Sequence, residues 1–197
     1  MKLKPIVLLG MLVILAIVGT LLAMQKTSNS GATPGKLGGD FTLQDNTGTV
    51  SLSDFDGKLK LLFFGYTHCP DVCPLTMANV KVALKQLPED VRGQVQTVFV
   101  SVDPERDTPD HLNQYVSFFD PNFVGLTGTK EQIDQVVRQY GAFYRIEKGD
   151  DTEANYTVSH SARVYLIGKD NEIKQYLYHD SKSEEIAEAI QKQLASN

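Results

Sequence analysis

The chain has no tryptophan, only two cysteines in 197 residues, and no proline after Pro121. It has no acidic residue before Asp40, and neither internal repeats nor low-complexity stretches occur beyond one short polar segment. Each absence removes something. Without tryptophan, and with Tyr66 and Pro70 rather than threonine three residues ahead of the cysteines, the chain carries no signature of a thiol peroxidase. No cysteine follows the apolar run near the N-terminus, so a lipid-modified anchor is not indicated. Basic residues are scarce where they would matter. Residues 40–197 hold all 24 acidic residues but, with Lys2, Lys4, Lys26 and Lys36 set aside, only 15 of the 19 basic ones, a net charge of −9. Such a domain repels a phosphate backbone, which excludes nucleic acid as a partner and favours a cation or a basic protein surface.

One long apolar run is present. Residues 6–24 (IVLLGMLVILAIVGTLLAM) carry no charge. At about 1.5 Å per residue they nearly span a hydrocarbon core of about 30 Å. Lys2 and Lys4 precede the run, which keeps the short end cytoplasmic and sends the remainder across the membrane. The run exceeds a signal-peptide core of about 7–15 residues, and Leu22-Ala23-Met24-Gln25 is a poor cleavage site. The expectation is a single-pass anchor over residues 1–24 in a bacterial-type inner membrane. A flexible linker follows over residues 25–39 (glycine-rich and polar), then one domain over residues 40–197 facing the periplasm.

The two cysteines are four apart, in Cys69-Pro70-Asp71-Val72-Cys73-Pro74. The spacing admits a structural disulfide, a redox couple or half of a soft-metal site. A five-residue ring removes little unfolded-chain entropy, so a purely structural staple has little to do. If the pair opens a helix, the two thiols lie one turn apart on one face, and the helix N-terminus lowers thiol pKa.

Strand and helix signals alternate along the domain. Residues 41–43 and 49–52 flank Asn46-Thr47-Gly48 and predict a hairpin. Residues 60–66 and 95–102 predict buried strands. Helices are expected from Pro74, from Thr108-Pro109 and from the capping boxes Thr129–Gln132 and Ser181–Glu184. Residues 162–167 and 173–178 complete the strands. The pattern predicts an α/β domain of thioredoxin-like fold: a central mixed sheet flanked by helices, with an N-terminal hairpin. In thioredoxin-like oxidoreductases a cis-proline faces the cysteines before the third core strand. Here the sequence reads Val158-Ser159-His160-Ser161, which puts an imidazole there. Two thiolates and one imidazole suit copper, whereas zinc asks for a fourth ligand or an open, water-filled position.

The segments Gly65-Tyr66-Thr67-His68-Cys69-Pro70-Asp71-Val72-Cys73-Pro74, Val100-Ser101-Val102-Asp103-Pro104-Glu105-Arg106-Asp107-Thr108-Pro109 and Tyr156-Thr157-Val158-Ser159-His160 resemble the Sco/SenC family. These are membrane-anchored, thioredoxin-fold copper proteins that help assemble the binuclear CuA centre of cytochrome c oxidase. The resemblance implies copper, as Cu(I) or Cu(II), held by Cys69, Cys73 and His160. It implies oxidase subunit II as partner, with a further copper donor or a thiol reductant. Many members have aspartate where this chain has Ser159, a position from which a carboxylate could orient the imidazole. Asp103, before Pro104, is read either as a turn residue or as a carboxylate backing the site. His68 adjoins Cys69 but diverges from it at a strand end, so it is placed behind the ligands, while His111 and His179 are expected on the surface. Three functions stay open on this reading: a copper metallochaperone, a thiol–disulfide oxidoreductase acting through the same pair, and a copper or redox sensor.

Overall fold

The computed structural model describes residues 36–148 and 156–196. The expected anchor lies outside these residues, and among those described no helix is long and apolar enough to cross a membrane. Of the expected linker, residues 36–39 are described, and they are fastened to the domain. Gly38 N donates to Gln139 O at 2.9 Å, and Tyr140 Oη donates to Gly39 O at 2.6 Å.

Strands β1 (Thr42–Gln44) and β2 (Thr49–Ser51) form the expected antiparallel hairpin, followed by a 3-10 turn at Leu52–Phe55. Next come β3 (Leu59–Gly65), α1 (Val72–Gln86), a short α2 (Glu89–Arg92) and β4 (Val95–Ser101). The chain continues through α3 (Pro109–Phe119), β5 (Val124–Leu126), α4 (Lys130–Gln139), β6 (Tyr144–Lys148) and β7 (Tyr156–His160). It closes with β8 (Arg163–Ile167), β9 (Ile173–Tyr178) and α5 (Ser183–Ala195).

The central sheet has five strands in the order β5-β4-β3-β8-β9. The strand pairs β3–β4 and β4–β5 are parallel, whereas β3–β8 and β8–β9 are antiparallel. It is therefore a mixed sheet, and helices flank it. Every residue of β3 and β4 is buried, which is why these strands read as continuous apolar runs rather than alternating ones. Two parallel neighbours need a crossover, and α1 is its main element between β3 and β4. That topology brings the β3–α1 turn, with both cysteines, to the carboxyl end of the central strand. The same end of β4 delivers Asp103 and Asp107.

The caps show where local signals hold and where they slip. Thr129 Oγ1 accepts from Gln132 N at 3.3 Å and Thr129 N donates to Gln132 Oε1 at 2.8 Å, the expected reciprocal box. At α5 the helix starts one residue later than expected. Lys182 is the N-cap, and its N–H donates to Glu185 Oε2 at 3.2 Å. Ser181 Oγ instead accepts from Tyr178 N at 3.2 Å, closing the turn out of β9.

Candidate metal centre

Cys69 and Cys73 do not share a helical face. Helix α1 begins at Val72, so Cys73 sits in its first turn and Cys69 precedes it. Cys69 acts on that terminus from outside: Cys73 N donates to Cys69 Sγ at 3.5 Å. A helix N-terminus presents unpaired N–H groups and a partial positive charge, which favour a thiolate. A hydrogen bond from the Cys73 thiol is the largest effect on Cys69; it and the Asp71 and Cys73 amides outweigh burial, and the pKa falls to about 3. The same bond and burial push the Cys73 thiol up. In the reduced, metal-free protein one proton is therefore shared by the pair and rests on Cys73. Cys73 is wholly buried and Cys69 half-buried.

This asymmetry makes an expected result for alkylation of the metal-free reduced chain. Iodoacetamide should modify Cys69 ahead of Cys73. Its rate should stay nearly flat from about pH 6 to pH 9, where an ordinary thiol of pKa about 8.5 speeds up on the order of a hundredfold. Because the shift is downward, the thiolate is already present across that window. Peptide mass spectrometry after timed quenching reads both points, and equal labelling of the two cysteines would contradict the asymmetry.

His160 ends β7, whose backbone pairs with β6 in the register Tyr144↔His160 to Lys148↔Tyr156. Its ring stands edge-on to Phe63 and Tyr66, with centroids 5.9 and 5.8 Å away. Its Nδ1 lies 3.2 Å from the Ser161 carbonyl oxygen. A carbonyl only accepts, so this contact puts the ring proton on Nδ1 and leaves a lone pair on Nε2. That Nε2 is 3.4 Å from Cys73 Sγ. The two sulfurs and an imidazole nitrogen all lie within 4.8 Å of one another. The donor set is soft and compact, a kind that suits copper. No cis peptide occurs among the described residues.

Ser159 points elsewhere. Its hydroxyl donates to Glu147 Oε1 at 3.3 Å, on the side of the ribbon away from the sulfurs. The imidazole Nδ1 is held instead by the Ser161 carbonyl. Asp103 is buried (1% exposed) and touches neither cysteine nor His160. It accepts from Arg106 Nε and from Tyr156 Oη, each at 2.5 Å. Arg106 in turn donates to Tyr156 O at 3.0 Å and lies 3.6 Å over the Tyr156 ring. Asp103 thus ties the start of β7, four residues from His160, to the end of β4. His68 turns away from the sulfurs and faces Asp107 and His111.

Three contributors escaped the sequence reading. Arg106 and Tyr156 carry the tie just described. Gly65, the last residue of β3, is the third: a Cβ there would lie 2.8 Å from Phe99 Cζ and 2.9 Å from both Cys73 Sγ and Phe63 Cε1. A glycine inside a buried strand is the signal that another group approaches the backbone. Gly65→Ala is expected to destabilise the fold by about 1–3 kcal/mol, as overpacked cores do, and to displace the Cys73 sulfur. Urea unfolding checks the first effect and copper affinity the second; a variant as stable as the parent would refute the crowding.

Beside the sulfurs lies an open depression of about 320 Å³ whose lining includes Tyr66, Cys69, Pro70, Val158 and His160. It leaves Cys69 reachable by an incoming group.

Comparison with known proteins agrees with this arrangement. The SCO1/SenC family model matches residues 29–195. A SCO2-like protein of Rickettsia felis is 39% identical over 156 residues, covering 79% of this chain and 76% of the relative. The copper-bound structure of ScoI from Bradyrhizobium japonicum superposes with a TM-score of 0.72 at 36% identity, covering 80% of this chain and 99% of that one. Copper-bound ScoI from Arabidopsis thaliana gives 0.74 at 31% identity, covering 82% and 99%. The chain belongs to the SCO1/SenC family.

Proposed function

We propose that the chain is a copper metallochaperone that carries one copper ion on the Cys69 and Cys73 thiolates and the His160 imidazole, and helps assemble the CuA centre on subunit II of cytochrome c oxidase. Residues 1–24 anchor it in the inner membrane and the domain works on the periplasmic side. The observation that carries the reading is the convergence of two sulfurs and a lone-pair nitrogen within 4.8 Å. The copper-bound relatives support copper as the cargo.

The residues divide the labour. Cys73 and His160 come from buried or backbone-fixed positions and hold the ion's place. Cys69, beside the open depression, is the ligand that an acceptor thiolate replaces first in a ligand-exchange transfer. Loading requires both thiols reduced, so copper carriage and disulfide state exclude each other. Another copper donor fills the site and a thiol reductant resets it.

The same asymmetry favours a second reading, thiol–disulfide exchange. The Cys69 thiolate would attack one sulfur of an acceptor disulfide and expel the other as thiolate. Cys73, losing its proton to solvent, would then attack Cys69 Sγ and release the second acceptor thiolate. The acceptor gains two electrons and this chain becomes the disulfide, to be reduced again by a dithiol donor.

The two readings part at His160. Copper titration of the reduced full-length chain is expected to give one tightly bound ion. His160→Ala should weaken it by about tenfold or more, on the scale of losing one shell of metal support. If binding is weak or indifferent to His160, while His160→Ala still reduces an acceptor disulfide at the parent rate, the exchange reading replaces the chaperone.

A further inference from the structure

A second cluster of metal-ligating side chains lies beside the first and shares none of its residues. It consists of His68, Asp107 and His111, whose ligand atoms all fall within 4.8 Å of one another. His68 comes from the β3–α1 turn, Asp107 from the segment after β4, and His111 from the first turn of α3. Two stretches of chain therefore converge here, the β3–α1 turn with His68 and the start of α3 with Asp107 and His111 four residues apart.

The anchor of the cluster is Asp107, wholly buried. Its Oδ2 accepts from Thr67 N at 3.0 Å and Ser101 Oγ at 2.6 Å, and its Oδ1 accepts from Thr67 Oγ1 at 2.5 Å. All of these partners are neutral. Among the described residues no lysine or arginine pairs with this carboxylate, and its one candidate ionic neighbour is His68, with Nδ1 3.8 Å from Oδ1. Buried carboxylates are ordinarily paired with a cation or bound to a metal.

The two imidazoles face the carboxylate from the solvent side. Their rings are 5.9 Å apart. His68 Nδ1 is 3.1 Å and His111 Nε2 is 3.0 Å from the Thr67 hydroxyl, which also touches Asp107. The hydroxyl thus sits among all three groups, and a bound ion would take the two imidazole nitrogens from it. The hydroxyl has one proton, and that proton goes to Asp107, so it gives the imidazoles nothing and can only accept from them. Ligands on one tetrahedral ion with bonds of about 2.0–2.1 Å stand roughly 3.3 Å apart. The observed 3.8 Å between His68 Nδ1 and Asp107 Oδ1 is close to that separation.

We propose that His68, Asp107 and His111 form a second metal site for a divalent borderline cation, distinct from the thiolate site. Two imidazoles and a carboxylate contain no sulfur, which disfavours Cu(I). They suit Cu(II) first and Zn(II) after it, in the order of divalent affinities. The coordination shell stays open toward solvent, because His68 and His111 are both exposed.

The test isolates this site from the first. The full-length chain carrying Cys69→Ser, Cys73→Ser and His160→Ala is titrated with Cu(II), and in parallel with Zn(II), against a competing chelator. The same titration is run on the otherwise unaltered chain with Cys69 and Cys73 oxidised to a disulfide, so that a folding defect in the triple variant cannot decide the result. One equivalent of Cu(II) is expected in both backgrounds, held more tightly than Zn(II), with an electron paramagnetic resonance spectrum showing two nitrogen ligands. Adding His111→Ala or His68→Ala, both exposed substitutions, should weaken it at least about tenfold. Absence of stoichiometric binding in both backgrounds, or affinity unmoved by His111→Ala, overturns the site. Neither result bears on the thiolate centre, which both backgrounds lack.

Discussion

Cys73→Ser is expected to abolish tight copper binding, lowering affinity on the order of a thousandfold or more, about 4 kcal/mol. The residue is wholly buried, and its sulfur meets Gly65 and His160 Nε2 at close range. Serine keeps the shape but replaces a polarizable thiolate with a hard hydroxyl that does not ionise near neutral pH. The soft three-donor set then falls to one sulfur and one nitrogen, with no third ligand among the described residues to take over. Cys69→Ser should also lose the ion, with a different signature. Without the Cys69 thiolate, Cys73 loses the hydrogen-bond partner that keeps its proton in place, and its own reactivity should rise. Chelator competition on the reduced chain gives the affinities, and alkylation of Cys73 in the Cys69→Ser variant gives the reactivity. Copper retained within about tenfold of the parent by Cys73→Ser would remove that residue from the ligand set.

The parts of this site that the sequence made legible are those fixed by short-range rules. The apolar runs of β3 and β4 announce buried strands because both faces are covered, and chemistry at their carboxyl ends follows from the topology of such sheets. The Thr108–Pro109 start and the Thr129 box are local hydrogen-bond arithmetic, so they were readable. The ribbon β6–β7 was not. Tyr156, Val158 and His160 alternate with exposed Thr157 and Ser159, but only Val158 is wholly buried and the alternation lasts five residues, so the sequence reading assigned no strand there. Strand β5 and helix α2 are three and four residues long, too short for any period. The spacing left open whether the cysteine pair opens the helix, which was expected from Pro74; the helix starts at Val72, and Cys69 accepts from its first turn from outside. Asp103 illustrates the remaining gap. Its place after a buried strand was visible, but its partners Arg106 and Tyr156 lie 3 and 53 positions away, and nothing local links the second to it.

Asp103→Ala is expected to cost about 3–5 kcal/mol of stability and to weaken copper binding without touching a ligand. The Asp103–Arg106 pair is 1% and 17% exposed, so removing the carboxylate leaves a guanidinium largely out of water with its charge unmatched. Arg106 already has one buried nitrogen, Nη2, without a hydrogen-bond partner, which leaves little tolerance for losing another contact. The Tyr156 phenol loses its acceptor at the same stroke; burial and that carboxylate together hold its pKa well above the usual tyrosine value. Tyr156 opens β7 and His160 closes it, with the β6 register between them, so slack at one end is carried along a five-residue strand to the imidazole. Asp103→Asn separates the two consequences. It keeps an oxygen for the Tyr156 hydroxyl but turns a donor toward Arg106, so it should lose stability while retaining more of the copper affinity. Tyr156→Phe should do the reverse on a smaller scale: about 1 kcal/mol from one lost hydrogen bond, with the ion pair intact. Urea unfolding and chelator competition on the three variants give a pattern rather than a single number. If copper affinity follows global stability in all three, the tie is only a brace for the fold. If Asp103→Ala loses affinity out of proportion to Asp103→Asn, the carboxylate positions His160 through Tyr156.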